Sequence, residues 1–197
     1  MGAISFKRSS LENYNKYNSL LAGNAAFEPF TSDFELLETT TLASSASSVT
    51  FSSLNSSYGS DYKHLQIRAV AKTDRTTDSG DSMTININSA STLKGHSLFG
   101  NGSSVISFDP SFADAGRLAS SESGISGDTY GASVIDILDA FETGKNKTIR
   151  ALSGSDRVYL SSGLMVDTAA TDTILLDQAS GSNFIAGSRF SLYGIRG

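Results

Sequence analysis

The chain has no cysteine, no tryptophan, two prolines and two histidines in 197 residues. Without cysteine there is neither a disulfide framework nor a thiolate zinc site. The histidines, His64 and His96, are too few for a catalytic zinc centre, and no Gly-x-Ser-x-Gly elbow accompanies them to suggest a Ser-His-Asp hydrolase. Charge is scarce as well: 18% of residues, with a formal net charge of -5 and a pI near 4.9. Basic residues are scattered rather than clustered, so nucleic acid is not an expected partner. No apolar run approaches the length of a membrane-spanning helix, and the first residues show no signal-peptide h-region, so a membrane is not expected either. The residues suggest no catalytic group and no cofactor.

What the chain does have is Ser, Thr, Gly and Asn between short, regularly spaced apolar bursts, a pattern of strands and tight turns. Tyr62–Lys72 is the clearest strand: Leu65, Ile67 and Ala69 alternate with Gln66, Arg68 and Val70. Turn clusters flank it at 55–61 and 73–81. In Ser82–Asn88, Met83, Ile85 and Ile87 alternate with Thr84, Asn86 and Asn88, and the two strands with the cluster between them suggest a long-looped hairpin. Further strands are expected at 34–42, 48–54, 104–108, 133–139, 148–153, 157–166, 173–177 and 188–195, with 93–99 ambiguous. In the last of them Phe190 and Leu192 share a face. Nine or ten strands suit an antiparallel β-sandwich. The stretch 109–131 has no periodicity and is long for a connection, so it is expected to be an exposed functional loop.

Residues 1–32 follow a different pattern. Ser9 and Glu12 stand at capping-box spacing, Tyr14, Tyr17 and Leu21 fall near one side of a helix with Leu11 at its margin, and Gly23 follows as a stop. The reading is an N-terminal anchoring arm with a short helix over 10–22 and a linker after it. Lys7, Arg8, Leu11, Tyr14, Tyr17 and Leu21 are its candidate partner-binding residues. The β-sandwich domain then occupies 33–197.

Carboxylates give no catalytic pair. Asp136 and Asp139 fall on opposite faces of a strand, unlike a glycosidase pair. Asp74, Asp78 and Asp81 crowd one loop and raise the question of a calcium site, but their spacing is not that of an EF-hand, and solvent-facing turn residues are the plainer reading.

The segments SSVTFSSLNSSY, DYKHLQIRAVAKTDR, DSMTININ, GNGSS, SVIDILD, KNKTIRALSG, SSGLMVDTAA and RFSLYGIRG occur in that order over residues 34–197. Together they resemble a family of small structural proteins of tailed bacteriophages, many from aquatic bacteria. The resemblance implies a non-enzymatic virion component assembled in the host cytoplasm, with a jelly-roll-like β-sandwich that forms a homotrimer. Its partners would be other virion proteins: the major capsid protein if it decorates or cements the capsid, which is the favoured expectation, or tail proteins if it is an adhesin for host-surface carbohydrate. Candidate subunit-interface residues are apolar positions expected on the second face of strands that already supply a core face: Val70, Ile135, Leu175 and Tyr193.

Overall fold

The structure is a computed structural model that describes residues 33–90, 93–110, 114–122 and 129–197. All of them belong to the unit Asp33–Gly197. The helix expected over 10–22 and the candidate residues Lys7, Arg8, Leu11, Tyr14, Tyr17 and Leu21 lie outside the described residues.

The described strands are β1 (Phe34–Thr41), β2 (Val49–Phe51), β3 (His64–Ala71), β4 (Gly80–Ile87), β5 (Leu93–Gly100), β6 (Val105–Phe108), β7 (Asp114–Ala119), β8 (Gly131–Leu138), β9 (Lys147–Gly154), β10 (Val158–Met165), β11 (Ile174–Gln178) and β12 (Arg189–Ile195), with one helical turn, α1 (Leu54–Tyr58). They form an eight-stranded sheet in the order β1-β12-β3-β8-β9-β10-β5-β6 and a four-stranded sheet in the order β2-β11-β4-β7. The paired strands are antiparallel, and the two sheets pack as a sandwich.

The order carries more information than the count. Setting aside the hairpins β5–β6 and β9–β10, the remaining strands renumbered along the chain run 1-8-3-6 in one sheet and 2-7-4-5 in the other. That is the strand order of a jelly roll. The two hairpins extend the large sheet past β8, so β9, β10, β5 and β6 form an extension that the four-stranded sheet only partly faces.

Alternation places the core. β3 sends Leu65, Ile67 and Ala69 inward, β8 sends Ile135 and Ile137, and β12 sends Phe190 and Leu192; the small sheet answers with Phe51, Met83, Ile85, Ile87, Ile174 and Leu176. Removing this many aliphatic side chains from water is the main stabilising term for such a fold.

Four sequence expectations are corrected. β3 and β4 are not a hairpin: β3 pairs with β12 and β8, whereas β4 pairs with β11 and β7. The segment 73–79 crosses from one sheet to the other, steadied where the Asp74 carboxylate accepts from the backbone N–H and side-chain amide of Asn183 at 2.7 and 2.9 Å. A turn-rich stretch between two amphipathic strands looks the same in sequence whether it closes a hairpin or an arch. The turn cluster after Phe51 contains α1, whose five residues are too few to show a helical period; Leu54 is its buried anchor. The stretch 109–131 is not simply an exposed loop, because it contains β7, buried along its whole length. A strand covered on both faces does not alternate, and β7 contains Asp114, Gly116 and Arg117, so nothing in its sequence announces it. Finally, Ile135 faces the core with no exposure, and its neighbour Val134 is the residue that faces outward.

Candidate functional site: the outer face of the large sheet

Register aligns the outward side chains of the large sheet into rows across the strands. Val134 of β8 lies opposite Leu152 of β9, Leu152 opposite Leu160 of β10, and Leu160 opposite Leu98 of β5. Their residue exposures are 37%, 54%, 42% and 42%. Four branched apolar side chains therefore stand side by side in water, one from each of four neighbouring strands. The next row, toward the β9–β10 turn, runs Val70, Ala132, Gly154, Val158, Gly100 and Val105. Val158 projects there between two glycines, with Val105 more exposed still.

Beyond the leucine row on the other side the face turns polar. Asp136 of β8 accepts from Arg150 at 2.9 Å and from the Gln66 amide at 2.8 Å. Gln66 in turn accepts from the Arg68 guanidinium at 3.0 Å. That guanidinium also lies 5.0 Å from the Phe34 ring centre and 4.9 Å from that of Tyr193, two rings stacked 4.8 Å apart. A cation over aromatic faces is held electrostatically and loses mobility, so β1, β12 and β3 carry a fixed polar border. Arg189 and Lys94 stand exposed toward opposite corners of the sheet.

The opposite side of the extension is polar where it meets β7. Among the described residues β7 has one strand partner, β4, and its other edge has a single isolated bridge, from Ala119 to Lys72. Inward serines serve the other edge: Ser133 Oγ donates to Ala115 O at 2.8 Å, Ser161 Oγ to Asp114 O at 3.1 Å, and Ser153 Oγ accepts from Arg117 N–H at 2.8 Å. Asp114 accepts from Ser97 Oγ at 2.7 Å and from Gly116 N–H at 2.9 Å. Burial is the largest influence on the Asp114 carboxyl and raises it above its ordinary value, against the pull of those donors. Burial and the neighbouring Asp114 charge raise the Tyr159 phenol. These groups resemble a reactive cluster in composition, but Ser133, Ser161, Ser153 and Asp114 each hold a backbone group of β7. A buried backbone polar group left without such a partner would be costly.

Against protein-family models, curated proteins and solved structures, the chain matches none.

Of the predicted interface residues, Val70 and Tyr193 are on the outer face of the large sheet, Leu175 is half-buried on the small sheet, and Ile135 is in the core. The face they were meant to mark is carried instead by Val134, Leu152, Leu160, Val158 and Leu98. The signal was present: β8 and β10 are apolar at positions of both parities. What the sequence could not supply was which parity faced in.

The acidic loop does not converge. Asp74 holds Asn183, Asp78 pairs with Arg117 at 2.8 Å, and buried Asp81 accepts from Ser180 Oγ at 2.6 Å. Among the described residues no group of three or more His, Cys, Asp or Glu side chains is placed to hold a metal ion. His64 Nδ1 accepts the Asp139 N–H at 2.8 Å, closing the end of β8, and His96 stands exposed on the outer face. A cleft of about 570 Å³ at one end is lined by Tyr62, Lys63, Phe141 and Arg196, among others. The Arg196 guanidinium there is already engaged, 4.8 Å from the Tyr62 ring centre and 3.3 Å from Asp61 O.

Proposed function

We propose that this chain is a non-enzymatic structural protein of a tailed-phage particle, of the capsid-decorating kind, with the outer face of its large sheet as an association surface. The observation that carries the structural reading is the row Val134–Leu152–Leu160–Leu98, apolar and wet across four strands. A β-sandwich gains nothing in its own stability from leucines on its solvent face, and contiguous apolar patches of this extent mark association surfaces. Two further points support it. Jelly rolls recur in viral capsid proteins and in lectins, a fold-level analogy that raises both readings equally. Carbohydrate recognition asks for polar groups with unspent hydrogen bonds, and beside the leucine row Asp136, Arg150, Gln66 and Arg68 already bond one another, which favours the decorating role.

Imaging purified particles whose copy of this chain carries a C-terminal label tests the proposal. Label at regular positions over the shell is the expected result. Label confined to the tail would transfer the reading to an adhesin, and its absence from purified particles would end the virion proposal altogether.

A further inference from the structure

We infer that the apolar outer face is covered by the same face of a second copy of this chain, in a two-fold, face-to-face pair. The inference rests on reading that face as an association surface and goes further by naming its occupant. Four arguments carry it.

The first is area. Val134, Leu152, Leu160 and Leu98, with Val158, Val105 and Val70, leave on the order of 500 Å² of apolar surface in water, at the top of what a monomer ordinarily shows. A standard interface covers roughly 800 Å² per partner with somewhat over half of it apolar, so the patch is the right size for a complete interface centre.

The second is relief. Beside the leucine row, Gly154 and Gly100 flank Val158, and a Cβ added at either glycine would meet nothing within 4 Å. Those are open hollows. Leu152 and Leu98 are separated by one strand, β10, as are Gly154 and Gly100. The leucine row projects at every strand, through Leu152, Leu160 and Leu98 in turn, whereas the row beside it falls to a hollow on each side of Val158. A raised row beside a lower one seats the same two rows turned over, and aligned sheets pack with their side chains interdigitated.

Symmetry is the third. A ring needs two different patches that fit each other, whereas a two-fold pair needs one patch used twice. Most of the exposed apolar side chains of the described residues share this one face; Ile106 stands alone on the other side of β6, and Leu175, on the small sheet, is only half-buried. The trimer expected from resemblance is for this reason replaced by a dimer.

The last is charge. The centre of the patch carries no ionisable side chain; on its border Asp136 and Arg150 pair with each other, and Arg68 keeps its charge over two rings. Arg189 and Lys94 lie toward opposite corners, where an interface keeps its hydrated rim.

Sedimentation velocity on the full chain, at concentrations up to hundreds of micromolar, should give a dimer mass that dissociates on dilution. The discriminating variant is Gly154→Val. The monomer has room for the side chain, so far-UV circular dichroism and thermal unfolding should stay those of the parent, while the filled hollow should weaken the dimer tenfold or more. Leu152→Asp should abolish it. A parent chain that remains monomeric, a mass of three, or a dimer indifferent to both variants would each overturn the inference. A monomer whose Leu152→Asp variant no longer joins particles would mean that another particle protein covers the face, leaving the proposed function intact. A dimer in solution from a chain absent from particles would do the reverse.

Discussion

In the eight-stranded roll, β3 turns Leu65, Ile67 and Ala69 inward and shows Gln66 and Arg68 to water; in the extension, β10 turns Tyr159 and Ser161 inward and shows Val158 and Leu160. Both strands follow the same pleat and belong to one sheet, yet over this stretch their polarity is reversed. The cause lies in what each strand faces. β3 faces apolar side chains of the small sheet, and only apolar side chains can fill that space without stranding a polar group. The extension faces the free edge of β7, a row of backbone donors and acceptors, and only hydroxyls and a carboxylate can satisfy it. Over this stretch Ser153, Ser161 and Ser97 take the inner side and Leu152, Leu160 and Leu98 the outer, while Ile149, Ala151 and Met165 farther along the same strands rejoin the core. Burial in this protein therefore follows the partner of each strand and not its position in the sheet.

That contrast can be broken experimentally. The largest effect is expected at β8, the last strand of the roll. Ile135→Ala should cost roughly 4 kcal/mol of unfolding free energy, since it opens a cavity in a packed core, while Val134→Ala on the outer face should stay within about 0.5 kcal/mol. Chemical denaturation of both variants, at a dilution where the chain is monomeric, checks this, and comparable losses would mean that Val134 is covered within the monomer.

Next comes Gly116 in β7, which has φ near +106°, and whose added Cβ would lie 2.8 Å from the hydroxyls of both Ser133 and Ser153. Gly116→Ala should cost about 3 kcal/mol through backbone strain and displacement of the serines that serve the strand edge. Ser153→Ala beside it removes one of three close contacts, leaving Ser133 Oγ at 2.8 Å and the Cβ of residue 153 at 2.9 Å, and takes away the acceptor for Arg117 N–H, so the double variant should not recover parental stability. Full recovery would show that the serine hydroxyls are dispensable to β7.

The smallest effect is one of pH. Burial lifts Asp114 above its ordinary 3.8, so the folded chain holds this proton more tightly than the unfolded one. Its contribution therefore favours folding at low pH and is lost as pH rises from 3.8 through the folded value. Asp114→Asn is neutral throughout. Its stability relative to the parent should improve as pH rises through that window, by on the order of 1 kcal/mol or less. Parallel stability–pH curves would show that Asp114 is not perturbed by its burial.

Much of the roll was legible in the sequence because β3, β4 and β12 each alternate apolar residues on the core face with polar or less buried ones on the other, and a period of two records that directly. The same rule placed Phe190 and Leu192 inside, as found. The helix α1 and the β3–β4 crossing were not legible: a single turn is shorter than any period, and an arch and a long hairpin share their turn residues. β7 hid for the opposite reason, being covered on both sides and lacking alternation altogether.

The candidate site divides along the same line. Sequence alone determined that strands such as β8 and β10 are apolar at both parities, and hence that something must cover each side, because covalent alternation is a local property of the pleat. Only the tertiary structure decided that Ile135 faces the core and Val134 the water, and that Val134, Leu152, Leu160 and Leu98 stand in one row. Those four residues come from hairpins and strands far apart in the chain, and their alignment is fixed by register, which is set by pairings between segments that local sequence does not encode.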